Sequence, residues 1–332
     1  MNLNKARQVS ISLTASLILL CFLLLLFSAG GLRTILTFFT VNATSFWYFG
    51  NMLDKQALLI FSSLGVCFAF KVGLFNLGGE GQIYLSAALT AILLENEWDC
   101  PPIVQVTCVF CIVILMLFSV GLLIGSLKAQ FDIDEIITSF LISLAIIHAL
   151  DFLILERMKN TSSTLLATQK IAKVFHLRSI LPPSTLNISF LVAILLCISN
   201  YLFFEKTKTG YRFRISGEST EFAKFAGFAN KKTLIIGMAS SSAMHALTGF
   251  FSILGTYRMC HSNFSNGLGW AAIVIALMAG NNILLLIPSA LLYAFLLNAQ
   301  DALLAKGLIA FDASLFFQAA IFLLISAKLL KR

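Results

Sequence analysis

Residues Phe70 to Gln82 read FKVGLFNLGGEGQ and set Asn76, Glu80 and Gln82 among four glycines inside an otherwise apolar stretch. Amide and carboxylate side chains at this spacing supply hydrogen bonds, and the glycines let the backbone turn or approach closely. Irregular backbone at membrane depth survives only where protein or a water-filled cavity satisfies its amides and carbonyls. An ionisable residue at that depth is by default a functional candidate. Asn76, Glu80 and Gln82 are therefore candidates for lining a solute path. The plainer alternative is a tight turn at the membrane surface with Lys71 and Glu80 solvated. The run is not a phosphate loop, because no G-x-x-x-x-G-K-[ST] occurs anywhere in the chain.

A fourth candidate is His245. Gly237, Ser241, His245 and Gly249 recur every four positions, which puts them on one helix face. Rows of small residues let helix backbones approach closely in membranes, so His245 is expected to point into a helix bundle. There it is either a packed histidine bonded to a neighbouring helix or a substrate-path residue. His148 and Asp151 share a face at i, i+3 and form a weaker proton-relay candidate. Asp301 and Lys306 read as interfacial, while Asn281 and Asn282 either cap a helix or line the path.

A charged island, Thr209 to Phe228, offers a different chemistry. The segment 205–232 holds seven of the 23 Lys and Arg, with Glu205, Glu218 and Glu221 among them. So much polar surface between apolar runs is there for something outside the membrane to grip. From Ser219 to Phe228, Phe222, Phe225 and Ala226 fall on one face, with Glu221 and Lys224 off it, which predicts a short helix along the membrane surface. Gly217 is expected to permit a bend before it, and Arg214 to steady it by charge.

The elements that carry these residues are transmembrane helices. Apolar residues make up 59% of the chain and charged residues 11%, and the mean hydropathy is +0.92, far from the roughly 25% charge of soluble domains. Apolar spans are expected at 9–30, 55–72, 81–95, 102–127, 135–155, 186–204, 233–255, 268–281, 283–304 and 312–328. The fold class is thus an all-α integral membrane protein of about ten helices, one domain over 1–332, with no low-complexity linker. The net charge of +8 lies in loops, where it sets orientation rather than recruiting nucleic acid. Lys5 and Arg7 before the first span, and Lys328, Lys331 and Arg332 after the last, put both termini in the cytoplasm. The first span reads as a retained signal anchor.

The acidic loop Glu95–Pro102 falls outside and 205–232 inside. The loop 156–185 is basic, with Arg157, Lys159, Lys170, Lys173 and Arg178, yet alternation also puts it outside. A long loop crosses with little regard to charge, and a miscounted span is the other explanation. Five of the seven cysteines, Cys21, Cys67, Cys108, Cys111 and Cys197, sit within spans and are expected to act as buried small hydrophobes. Cys108-Val-Phe-Cys111 has no second pair to complete a zinc site, so no metal is expected. Cys100 and Cys260 are the pair that could meet outside.

Two of these segments resemble the permease subunits of binding-protein-dependent ABC importers for simple sugars and nucleosides, in particular the nucleoside-like branch. The family's segment Gly-aromatic-x-x-Arg-Ala-x-Gly-x-Asn-x-x-Ala-Ala-x-x-Ala-Gly-Ile is similar here at Gly210, Tyr211, Arg214, Gly217, Ala223, Ala226 and Gly227. It departs at Ile215, Ser219 and Phe228. The family's Lys/Arg-Thr-Gly-Leu-Phe-Asn-Ile-Gly-x-Glu-Gly-Gln run is matched from Lys71 to Gln82, and its Asn-Glu-Val-Ile is echoed by Asp134-Glu135-Ile136-Ile137. The likeness covers roughly residues 55–300.

The resemblance implies a type II importer-like fold in which 205–232 is a cytoplasmic coupling segment docking on an ATPase. Arg214, Gly217, Glu218, Phe222, Ala223, Phe225, Ala226 and Gly227 would form that contact. It implies a second permease chain, an ATPase that binds ATP and Mg, an extracytoplasmic binding lipoprotein, and a place in the inner membrane of a bacterium. The chain would have no cofactor and no catalytic residue of its own. Arg157 and Arg178 would receive acidic residues of the binding protein. The implied cargo is a purine nucleoside, with a ribose- or galactose-type sugar as the alternative. An ion-coupled secondary transporter would share the broken helices but leave the island without a purpose. An intramembrane hydrolase lacks its signatures, since neither Gly-x-Ser-x-Gly nor His-Glu-x-x-His occurs.

Overall fold

A computed structural model of the chain describes residues 3–158, 165–228 and 230–329. The helices are α1 (Leu3–Phe27), α2 (Leu32–Thr40), α3 (Phe46–Lys71), α4 (Gly79–Leu93), α5 (Pro102–Phe131), α6 (Glu135–Leu153), α7 (Ser189–Lys206), α8 (Lys208–Glu218), α9 (Thr220–Phe225), α10 (Asn230–Phe251), α11 (Leu268–Met278), α12 (Leu286–Ala305) and α13 (Ala313–Leu329). A π-helical extension, Ser252–Tyr257, lengthens α10. Among the described residues the sole β-type pairing is one bridge, Ala167 to His261. The protein is an all-α membrane protein.

Each expected apolar segment coincides with a helix, but the boundaries shift for local reasons. α3 starts nine residues before the predicted 55 because Ser45 caps it, its Oγ accepting from Tyr48 N at 3.3 Å. Two helices were not expected, α2 and α8. Among the described residues six helices are long and apolar enough to cross a membrane. By contrast α4 has 15 residues and α11 has 11, so at about 1.5 Å per residue neither crosses a hydrocarbon core of about 30 Å alone.

The reason lies at the centre, where α3 and α10 pack antiparallel. Val72 at the end of α3 abuts Gly237 near the start of α10, and Thr256 at the far end of α10 bonds Asp54 near the start of α3. Each central helix leads through non-helical chain to a short helix, α4 or α11, and then to a long one that packs on the other central helix: α5 on α10, α12 on α3. This is the pattern of an inverted repeat. In α3 83% of the apolar window is buried and in α6 only 17%, which separates the core from the periphery.

The contacts also order the loops. The stretch 165–188 lies over the α10 end remote from the charged segment 205–232, with Ile171 N donating to Arg258 O (2.9 Å), Leu177 N to Leu254 O (3.0 Å) and Ala172 N to Leu94 O (3.2 Å). It therefore shares an end of the bundle with 94–101, as alternation requires. That end is called the outer end below.

Cysteines 108 and 111 are exposed on α5 rather than buried, because this helix turns its apolar flank outward; Cys260 is a buried free thiol and Cys100 is also unpaired. His148 is exposed, while Asp151 Oδ1 accepts from Tyr84 Oη (2.7 Å) and Ser262 Oγ (2.8 Å), so those two residues form no relay. Asp301 pairs with Lys55, Asn282 caps Leu284 N, and Asn281 Oδ1 accepts from Cys67.

Candidate functional site

After a turn at Val72 and Gly73 the chain runs without helix to Gly78 along α10, from the inner end to its middle, and the small-residue row of α10 is the groove that receives it. Gly237 meets the Val72 side chain, Ser241 Oγ accepts from Asn76 Nδ2 at 2.9 Å, His245 touches Gly79, and Gly249 faces Ala87 N and Ile83 O of α4. A Cβ at Gly249 would lie 2.6 Å from Ala87 N, and one at Gly79 would lie 3.1 Å from the His245 ring. The two motifs that stand out in the sequence are the two halves of one joint.

Within the joint, Asn76 and Gln82 exchange amide hydrogen bonds: Asn76 Nδ2 donates to Gln82 Oε1 (3.1 Å), and Gln82 Nε2 donates to Asn76 Oδ1 (3.3 Å). Asn76 Oδ1 also accepts from Gly78 N at 2.9 Å. Two serines one turn apart on α6 satisfy further amides, Ser139 Oγ accepting from Leu77 N (3.1 Å) and Ser143 Oγ from Gly81 N (2.8 Å). Left unpaired in a buried place, each such N–H costs about 1–3 kcal/mol, so these side chains are what lets the helix break here. Ser139 and Ser143 were not expected at the site, although their i, i+4 spacing was the available signal.

Glu80 ties the two short helices together. Its Oε1 accepts from Gly269 N (2.9 Å) and Trp270 N (3.1 Å) in the first turn of α11, while Glu80 itself sits in the first turn of α4. One carboxylate thus serves two helix N-termini, where backbone N–H groups are otherwise orphaned and the dipole favours an anion. Replacing Glu80 by Ala should cost about 3 kcal/mol and by Gln, which keeps an acceptor, about 1 kcal/mol. Thermal unfolding in detergent checks this order. A stable Glu80→Gln with altered uptake would instead mark Glu80 as a path residue.

His245 is fully buried between α3 and α4. Its Nδ1 shares a hydrogen bond with Ser62 Oγ (2.9 Å), and its Nε2, wedged beside Gly65 and Gly79, meets no polar partner among the described residues. Asn76, Glu80, Gln82 and His245 therefore come together at one buried junction, 1%, 8%, 0% and 0% exposed.

At the inner end, Thr207 caps α8, accepting from Gly210 N at 2.9 Å, and Ser219 caps α9, accepting from Phe222 N at 3.3 Å. Arg214 donates from Nη1 to both oxygens of Glu205 at 2.8 Å, bracing α8 against α7. Gly217 lies in the last turn of α8, with helical neighbours rather than a bend, and its role is close approach. A Cβ there would collide with the Lys71 carbonyl and lie 2.6 Å from Gly73 N. Glu218 is exposed, Ala223 is buried, and Ala226 and Gly227 form an exposed turn with Gly227 at φ 73°. Phe222 and Phe225 are 56% and 97% exposed, so the face expected to be an anchor is uncovered in the chain alone. Near the adjacent inner turn, Asp134 caps α6, accepting from Ile136 N at 2.7 Å, and Lys128 bridges Asp132 (3.1 Å) and Glu135 (3.4 Å).

The outer end carries an exposed basic rim of Lys170, Lys173, Arg178 and Arg258. Burial, and after it the charges of Arg258, Lys173 and Lys170, push the His176 imidazole below its ordinary pKa despite its contact with the Ile171 carbonyl. A π-helical turn, Ile154–Met158, continues α6 and contains Arg157, whose side chain lies outside the described residues.

Comparisons with known proteins agree with this architecture. The family described as "Branched-chain amino acid transport system / permease component" matches residues 48–326. A probable riboflavin import permease protein of Treponema pallidum is 36% identical over 85% of this chain and 74% of its own length. A guanosine ABC transporter permease protein of Bacillus subtilis is 27% identical over 71% of this chain and 68% of its own. A nucleoside ABC transporter permease protein of Lactococcus lactis is 26% identical over 78% of this chain and 74% of its own. No solved structure matches the chain significantly.

Proposed function

Because the chain belongs to the family of branched-chain amino acid transport system permease components, we propose that it is the membrane-spanning subunit of an ATP-driven importer for purine nucleosides. The observation that carries this reading is the contact of Gly217 with Gly73, which joins an exposed apolar patch at Phe222 and Phe225 to the broken-helix joint. Motion imposed on α8 and α9 from outside the membrane reaches the joint through two glycine backbones, with no side chain between. A second permease chain, an ABC ATPase and an extracytoplasmic binding lipoprotein complete the importer. Orientation follows the basic residues: both termini and 205–232 cytoplasmic, in a bacterial inner membrane, with Arg157 and Arg178 on the face that meets the binding protein.

The riboflavin relative, at 36% identity, favours riboflavin as the second reading. Riboflavin and a purine nucleoside share a flat nitrogen heterocycle bearing a five-carbon polyhydroxyl group, an open chain in the first and a ribose ring in the second. Uptake of labelled inosine, riboflavin and ribose by the reconstituted importer tests the cargo. ATP-dependent uptake of inosine, or on the second reading riboflavin, is expected. Uptake of ribose with neither heterocycle would remove both readings and leave the sugar alternative.

A further inference from the structure

Between the outer ends of α3, α10 and α12 lies a well of about 360 Å³, bordered by Trp47, Tyr48, Asn51, Asp54, Tyr257 and Asp301 among others. None of Asn76, Glu80, Gln82 and His245 borders it. Its volume is in the range of sites that take small organic ligands. Its floor, Leu58, is one turn of α3 above Ser62, and Leu58 O accepts from Thr248 Oγ1 at 3.3 Å. The well therefore opens at the end remote from the coupling segment and stops one turn short of the broken-helix joint.

Its chemistry is selective. Asp54 is 2% exposed and saturated: Oδ2 accepts from Thr185 Oγ1 (2.7 Å) and Thr256 Oγ1 (2.7 Å), and Oδ1 from Asn187 Nδ2 (3.1 Å). Asn51 Oδ1 accepts from Thr185 N at 2.9 Å, which fixes the amide orientation and leaves Nδ2 as a donor without an acceptor among the described residues. The hydroxyls of Tyr48 and Tyr257 and the indole N–H of Trp47 are likewise uncommitted there. Trp47 and Tyr48, edge to face at 4.7 Å, come from the first turn of α3, and Tyr257 from the end of the α10 extension, so ring faces stand on two walls. Lys55, the one cationic residue among those that border the well, is spent on Asp301, and Lys306 stands outside the lining against the Tyr48 ring at 5.7 Å, so the two carboxylates dominate the charge facing a phosphate.

We propose that this well is a solute-binding site of the permease itself, taking an uncharged planar nitrogen heterocycle that bears hydroxyl groups and rejecting its phosphorylated form. Trp47 and Tyr257 stack on the ring, and Asn51 Nδ2 donates to a ring carbonyl or hydroxyl. The proposal rests on the importer reading above and assigns it a site one turn from the joint.

Equilibrium binding of tritiated guanosine and of riboflavin to the purified permease–ATPase complex in nanodiscs, without the binding protein, tests it. Saturable binding is expected for one of the two, with guanosine monophosphate and ribose failing to compete. Loss of a stacking face or its hydrogen bond is worth about tenfold in affinity, so Trp47→Ala and Asn51→Ala should each weaken binding by that factor, and Trp47→Phe by about threefold at most. Trp98→Phe, at a tryptophan in the loop between α4 and α5 and not bordering the well, should bind as wild type. Absence of saturable binding, competition by ribose equal to that of guanosine, or unchanged affinity in both Ala variants overturns the site. If the importer still takes up inosine or riboflavin in that event, the functional reading stands and only the site falls.

Discussion

Phe222→Ala combined with Phe225→Ala is expected to leave the permease inserted and able to meet its binding protein while stripping it of its ATPase. Both rings are largely in solvent in the chain alone, 56% and 97% exposed, on a six-residue helix in which, among the side chains described, Ala223 is the buried one. Nothing in the fold needs them, so truncation should cost little stability. Buried aromatic anchors at an interface each cost about 2 kcal/mol or more when removed, and the pair corresponds to about a thousandfold loss of affinity. Co-purification of the ATPase and hydrolysis stimulated by loaded binding protein are the two readouts. If the double variant keeps both, the island is an ordinary solvated loop and the importer reading loses its main mechanical support.

That face is legible in the amino-acid sequence because its residues are local. Phe222, Phe225 and Ala226 are three and four apart, so helical periodicity alone groups them. The row Gly237, Ser241, His245 and Gly249 is legible for the same reason, and the Asn76 to Gln82 run announces itself by polar residues and glycines in an apolar setting. What sequence reasoning could not supply is that these two fit into one another, since Val72 and Gly237 are neighbours only through the antiparallel packing of α3 and α10. The outer well was invisible for a stronger form of that reason. Asp54, Thr185, Asn187 and Thr256 come from separate parts of the chain, and each alone reads as an ordinary polar residue near a span end. The start of α3 was misplaced because Trp47, Tyr48, Asn51 and Asp54 dilute the apolar signal in the turns that build the well. α8 was missed because Gly210 and Gly217 weaken helix propensity, yet a Cβ on either would meet backbone of α7 or of residues 71–73.

Gly217→Ala should separate attachment from coupling, and it is the sharpest test of how the island acts. The two glycines at this contact lie back to back: a Cβ on Gly217 would lie 2.6 Å from Gly73 N, and one on Gly73, which is at φ 75°, would lie 3.0 Å from Gly217 Cα. The atoms in the way are backbone, so no side-chain rotation relieves them, and α8 must lift from the end of α3. The Phe222 and Phe225 face is untouched by that shift, so the ATPase should still co-purify. Uptake and substrate-stimulated hydrolysis should fall by at least about tenfold, the scale at which a misplacement of about 1 Å acts on a distant site. Gly227→Ala is the matched comparison. It has open space around it but sits at φ 73°, so it strains its own turn by about 1–2 kcal/mol without touching the joint, and it should couple normally. Normal coupling in Gly217→Ala would mean that the re-entrant chain is moved by some other contact. Loss of the inserted protein in Gly217→Ala but not in Gly227→Ala would reduce the glycine pair to packing, and the drive would then have to enter the bundle through the Arg214–Glu205 brace on α7.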